Sequence, residues 1–335
     1  MRELLFLFLS FLPLLSFGQS EILRGQVKSV VDSSAVVAAS VYFDGSTIGT
    51  ITDANGYFSI ENSAATTNAL VITSLGYISL NLNPKSLENN KIKVYYLAES
   101  TEQLNAVLLE ADPWSREKKI AEFKREFLGK TKNAEKCTIL NEEVLRLRYS
   151  PSRQELTAEA IAPLVVMNKN LGYKLSYDLK EFSVLYEVSL SGFIYPIFIF
   201  YTGTTFYKPL KPKASKRIAR ERDKAFTGSL LHFMRSLANE SLKENKFRIF
   251  REGYETPPYK YFAMEKKNDR THVIFTEKEI NILFENKEQS IFQTRSDFYI
   301  DAYGNHSPPD AVTTGGVMGE KRVADLVPID YETDR

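Results

Sequence analysis

Three histidines, His232, His272 and His306, are the only imidazoles in the chain of 335 residues, and they set the first limit on its chemistry. A catalytic zinc takes three protein ligands and keeps one position open. None of these histidines has a glutamate three residues later, and no His-Glu-x-x-His pair occurs, so zinc-dependent hydrolysis lacks its ligands. Ser229 and His232 sit three apart on an expected helix, with Arg235 continuing that face. A serine nucleophile also needs its base oriented by a third group and an oxyanion hole nearby, and no Gly-x-Ser-x-Gly elbow occurs. The expected roles are a helix cap for Ser229 and satisfied polar contacts for His232 and Arg235.

Asp53-Ala54-Asn55-Gly56 has the residues of a calcium loop in the wrong register. An EF-hand needs Gly at position six and Glu at position twelve, where Ala64 stands here; a tight hairpin turn through Asn55-Gly56 is expected instead. Gly315-Gly316-Val317-Met318-Gly319 lacks the Lys-Ser/Thr ending of a phosphate loop and opens no evident helix, so it reads as a flexible turn. Cys137 is the sole cysteine, which rules out an intramolecular disulfide. Beside Ile139 and Leu140 it reads as a small buried hydrophobe. No catalytic, cofactor-binding or metal residue emerges, and the chain reads as non-enzymatic.

Two surfaces remain. Lys208 to Lys224 holds eight basic residues and two acids, and Lys216, Arg217 and Arg220 are its candidates for contact with an anionic membrane surface or an acidic partner; the competing reading is a solvated helix with local pairs to Glu221 and Asp223. Leu190 to Phe206 is uncharged and aromatic, and Tyr195, Phe198, Tyr201 and Tyr207 are candidates for the wall of a glycan or lipid cleft, against ordinary strand packing. Overall charge is balanced, 43 basic against 42 acidic residues, which argues against a nucleic-acid binder.

The elements that would carry these residues follow from pattern. Arg2, the apolar run Leu4–Phe17 and Gly18-Gln19-Ser20 read as a cleaved signal peptide, 1–19, implying export. From 21 to 98, seven short apolar runs alternate with turn chemistry: 22–27, 36–43, 48–52, 57–60, 70–73, 77–82 and 92–97. That count in so short a stretch is a sandwich pattern. Val41-Tyr42-Phe43, Gly49-Thr50-Ile51-Thr52-Asp53, Gly56-Tyr57-Phe58 and Gly76-Tyr77 together resemble the carboxypeptidase regulatory-like domain, although Ala35 to Ala39 lacks the proline often found there. The resemblance implies a transthyretin-like β-sandwich. In the peptidases that gave the family its name this module lies beside the catalytic domain and does no chemistry; it also recurs at the N-termini of exported proteins and outer-membrane receptors of Bacteroidota-type bacteria.

Beyond the sandwich, Val107-Leu108-Leu109-Glu110 reads as a last strand or a departing strap. Residues 99–135 read as a linker bearing an amphipathic helix, capped by Ser115 and stopped by Gly129, that bridges two domains. Residues 136–335 read as an α+β domain with more sheet than helix, including a helix over Leu230 to Leu242 and a Gly- and Pro-rich end, Tyr303 to Arg335, wrapping the surface. Segments such as Phe127-Leu128-Gly129 and Arg322-Val323-Ala324-Asp325-Leu326 are similar to a region found behind this sandwich in other exported proteins, to which no function attaches. The expected fold is therefore mainly β. The expected role is a non-enzymatic protein of the periplasm or outer membrane that binds a partner protein, the sandwich's edge strands accepting a strand; the alternative is binding of glycan or lipid in the aromatic cleft.

Overall fold

The computed structural model describes residues 21–62, 68–83, 86–87, 91–100 and 110–333. The expected signal peptide and the Val107–Leu109 segment lie outside them. The described residues form far more strand than helix and gather around three hydrophobic cores.

The first core is the expected sandwich, and all seven strands are present. β1 (Glu21–Ser29), β2 (Ser40–Phe43), β3 (Gly49–Ile51), β4 (Tyr57–Asn62), β5 (Leu70–Thr73), β6 (Leu80–Leu82) and β7 (Ile92–Leu97) make two sheets, ordered β4-β1-β7 and β3-β2-β5-β6. Alternation is visible in β4, where Phe58 and Ile60 are buried between exposed neighbours. The Asp53–Gly56 turn differs from the hairpin expected of it. β3 and β4 belong to different sheets, so the turn is a corner between them. Asp53 Oδ1 accepts from the N–H groups of Asn55 and Tyr57, both at 2.8 Å. Gly56, at φ +77°, is the only turn residue in the left-handed region. A side chain there would meet the Val27 carbonyl, so the glycine serves close inter-sheet approach as well as the turn.

The second core contains the helix expected to act as a bridge. α1 (Arg116–Leu128) is capped by Ser115, whose side chain accepts from the Lys118 N–H, but Phe123, Phe127 and Leu128 are buried within the core rather than spanning a gap. They pack on a six-stranded sheet of β8 (Cys137–Ile139), β9 (Leu145–Ser150), β10 (Glu155–Ala160), β11 (Leu164–Asn168), β12 (Tyr173–Val188) and β13 (Ile194–Pro209). β12 is the spine of this sheet. It pairs with β13 along its whole length, and with β11 near its start and β10 near its end. Phe182 on β12 meets Phe123 with ring centroids 4.6 Å apart. Glu126 is fully buried in α1. Burial alone would raise its carboxyl, but Arg125 and Arg322 outweigh that and hold it below its ordinary value. α2 (Lys216–Phe226) closes this unit.

The third core lies between a five-stranded and a four-stranded sheet and begins with α3 (Leu230–Ala238). Its strands are β14 (Phe247–Arg251), β15 (Tyr254–Thr256), β16 (Phe262–Lys267), β17 (Arg270–Phe275), β18 (Glu279–Phe284), β19 (Glu288–Thr294), β20 (Phe298–Asp301), β21 (His306–Ser307) and β22 (Val312–Gly315). The sheets are ordered β15-β14-β18-β19-β22 and β16-β17-β20-β21. Phe233 of α3 packs edge-on against Phe247 at 5.3 Å and near Phe292 at 5.5 Å. The Gly315–Gly319 run is not the flexible turn expected. It opens α4 (Gly316–Glu320), whose Met318 is buried and takes the Ser290 hydroxyl as acceptor at 3.1 Å.

The end of the chain is likewise no surface wrap. Val323, Ala324 and Val327 are buried in the second core, and the following residues tie the three cores together. Ile329 N–H donates to Gly45 O at 2.8 Å, and Thr47 N–H donates to Asp330 at 3.0 Å. Arg235 donates to the carbonyls of Tyr303, Tyr331 and Ile329 at 2.7, 2.9 and 2.6 Å. Those bonds bury apolar residues that composition alone had assigned to the outside.

Candidate functional site

The residues with catalytic potential are occupied structurally. Ser229 caps α3 by accepting the His232 backbone N–H at 3.2 Å. The His232 ring is turned the other way, its Nδ1 accepting from Gly228 N–H at 3.1 Å. Burial pushes that imidazole down to about 4, so it is neutral near pH 7. Arg235 is spent on its three carbonyls. His272 bonds Asp297 at 2.7 Å and stacks on Tyr299. Cys137 is half-buried against the second core. Burial first, and then Asp325, push its thiol up to about 12, far from the reactive thiolate range. Among the described residues no group of three or more His, Cys, Asp or Glu could hold a metal ion.

The four aromatic candidates do not form one wall. Phe198 and Tyr201, together with Phe200, line a groove of about 460 Å³ between β13 and the segment around β22 and α4. Arg295 lies over the Phe198 ring at 4.8 Å, and Tyr201 meets Phe127 edge-on at 5.5 Å. Tyr195 lies near the hairpin turn, exposed, with its hydroxyl donating to Glu187 at 3.0 Å. Tyr207 is buried against Tyr173 and takes no part in the groove. Strand geometry separates them, because twelve residues of extended chain carry Tyr195 and Tyr207 roughly 40 Å apart.

The backbone of β13 was not singled out by sequence. β12 covers one edge of it, while among the described residues the other edge is met only near its end. There Gly45 N–H donates to Thr205 O at 2.7 Å, Tyr207 N–H donates to Ser46 O at 3.0 Å, and Ser46 forms a parallel bridge with Phe206. Tyr42 stacks on Phe206 at 5.2 Å, seating the sandwich at this spot. From Ile194 to Gly203 no described strand pairs with the outer edge. Leu190, Phe193, Ile194, Tyr195 and Ile197 are exposed around the hairpin turn, Leu190 completely. The turn satisfies its own polar groups: Phe193 N–H donates to Ser189 Oγ at 3.0 Å and Ser189 N–H to Phe193 O at 2.8 Å. The signal that could have found this edge was the uncharged run itself, since an outer strand shielded from water would not need charge on either face.

The basic candidates lie at the opposite end of the hairpin. Lys216, Arg217 and Arg220 are exposed on α2, as the solvated-helix reading requires. Arg217 nevertheless donates to Asn170 at 3.0 Å, and Lys224 pairs with Glu221 at 2.8 Å. Arg222 is structural, lying over the Tyr173 ring at 3.8 Å and donating to Leu171 O at 2.8 Å.

Residues 23–109 match the family model of the CarboxypepD_reg-like domain. The match takes in the sandwich from the third residue of β1 onward and runs past its expected end at residue 98 to include Val107-Leu108-Leu109. That domain is a regulatory, non-catalytic fold. A comparison with curated proteins finds no match.

Proposed function

We propose that the protein is a non-enzymatic, exported accessory of the bacterial envelope that binds a partner protein by strand addition along the outer edge of β13. The observation that carries this reading is the open, apolar edge from Ile194 to Gly203, flanked by the aromatic groove. An unpaired strand edge offers backbone donors and acceptors for a partner strand, and adjacent pockets receive alternate side chains. This moves strand acceptance from the sandwich, where sequence placed it, to the second core. The sandwich then acts as a rigid bracket that covers the edge beyond Thr205.

The partner is a protein rather than an anionic bilayer on grounds of charge. Glu187 lies beside the hairpin turn, while the basic residues of α2 stand roughly 45 Å along the strand from Tyr195. No flat anionic surface touching the hairpin turn is met by that basic patch.

A photo-crosslinking amino acid placed at position 197 in living cells tests the reading, with position 57 on the sandwich as control. The expected result is one defined envelope-protein adduct at 197, lost when Ile199→Pro removes a backbone donor, and none at 57. Adducts at 57 alone would return binding to the sandwich edge. An adduct with the mass of a lipid or glycan would replace strand addition with small-ligand binding in the groove.

A further inference from the structure

Where the three cores meet, the fold leaves a second cavity of about 390 Å³, lined in part by the Gly203–Tyr207 end of β13. Its wall is polar. Asp44 and Asn68 come from the sandwich, Tyr177 from β12, Thr205 from β13, and Arg270, Asn305 and His306 from the third core, where Asp301, opposite Arg270 in the β17–β20 register, also lines the space. Asn305 Nδ2 donates to Asn68 Oδ1 at 3.2 Å, closing one side between the first and third cores.

Two groups in this wall lack the partners their burial calls for. Asp44 Oδ1 accepts the Thr205 N–H at 2.7 Å, but among the described residues no cation lies within ion-pair distance of the carboxylate. Burial raises this carboxyl to about 6, against the effect of its backbone hydrogen bonds. Arg270 has its Nε buried with no hydrogen-bond acceptor. A buried donor left unpaired costs on the order of 1–3 kcal/mol, and more for a charged group. Arg270 is the one cation among the residues lining the cavity, because burial lowers the His306 imidazole and keeps it neutral. Asp44 and Arg270 thus line one cavity without forming an ion pair, and the space between them is where complementary charges would sit.

We propose that this cavity binds a small zwitterion of the amino-acid type, its ammonium on Asp44 and its carboxylate on Arg270. The amides of Asn68 and Asn305 supply neutral donors and acceptors between the two charged ends. The tyrosine and aliphatic walls receive a short side chain. The ligand touches all three cores at once, so its binding stabilises their arrangement. The proposal rests on this cavity alone and is independent of strand addition at β13.

Thermal unfolding of the purified mature chain against the twenty free amino acids and a set of neutral monosaccharides, each at millimolar concentration, tests it, with calorimetric titration of the best ligand. The expected result is a rise in Tm with a subset of amino acids and none with the sugars. Asp44→Asn keeps the side-chain size and Arg270→Gln removes the charge with a shorter polar side chain; each is expected to weaken binding about tenfold or more without lowering the Tm of the unliganded protein. No shift with any amino acid, a shift with sugars alone, or affinity unchanged in both variants would overturn the assignment.

Discussion

The sandwich and the β12–β13 hairpin are both strand pairs rich in apolar residues, yet they place them differently. In the sandwich, apolar residues of β4 point inward by alternation and those of β5 are buried on both sides. β12 keeps a similar alternation through most of its length. β13, uncharged from Ile194 to Tyr207, has no buried residue from Ile194 to Phe206. Apolar content alone does not predict burial. Alternation marks a strand whose second face is already assigned to water, whereas a strand uncharged on both faces and open along one edge has a further contact to make.

The largest expected effect separates core from edge. Phe182→Ala should cost about 3–5 kcal/mol in urea unfolding, because the ring is fully buried against Phe123. Phe193→Ser at the hairpin turn should stay within about 0.5 kcal/mol. A comparable loss at Phe193 would make the turn a structural element and end the contrast.

A smaller effect concerns the seat of the sandwich. The folded-state carboxyl of Asp44, at about 6, holds its proton between about pH 4 and 6, where the unfolded chain has released it. Protonation therefore stabilises the fold fully below about pH 4, and that stability is lost as pH rises through about 6. Asp44→Asn, permanently neutral, should exceed the parent by about 2–3 kcal/mol at pH 8, with the difference vanishing below pH 4. His232 and His306 titrate in the opposite sense, so the measurement is the difference between the two proteins at each pH. A constant difference across the range would place Asp44 in water.

The smallest effect is expected on α2. Changing Lys216, Arg217 and Arg220 together to Glu should alter stability by less than about 1 kcal/mol, the main loss being the Arg217–Asn170 bond. Adduct formation at position 197 should be unaffected. Loss of the adduct would make the basic helix part of the docking surface.

Local signals were legible in the sequence to the extent that the structure used them locally. All seven strands of the sandwich and the Ser115 and Ser229 caps follow from turn residues and helical spacing. Pairing across long separations was not legible. Nothing near Asp53 states that its flanking strands enter different sheets, and nothing in Gly316 to Glu320 reveals that Ser290 waits to receive Met318. The aromatic candidates show the same limit. Residue type alone puts all four together, and only strand register separates Phe198 and Tyr201, which line the groove, from Tyr195 and Tyr207. The uncharged run marks β13, but that one of its edges stays open, and that Asp44 and Arg270 line one cavity, are products of assembly.

The bonds from Thr47 to Asp330 and from Gly45 to Ile329 join residues more than 280 positions apart. Their consequence is one of order in time. A ribosome finishes the sandwich before it reaches β13, which seats it, and reaches Ile329 and Asp330 later still, so the Asp44–Ser46 turn stands without that clasp for most of synthesis. The three cores have contacts close in sequence to start from, whereas the clasp between them waits for Ile329 and Asp330, and a truncation before Ile329 leaves it unmade.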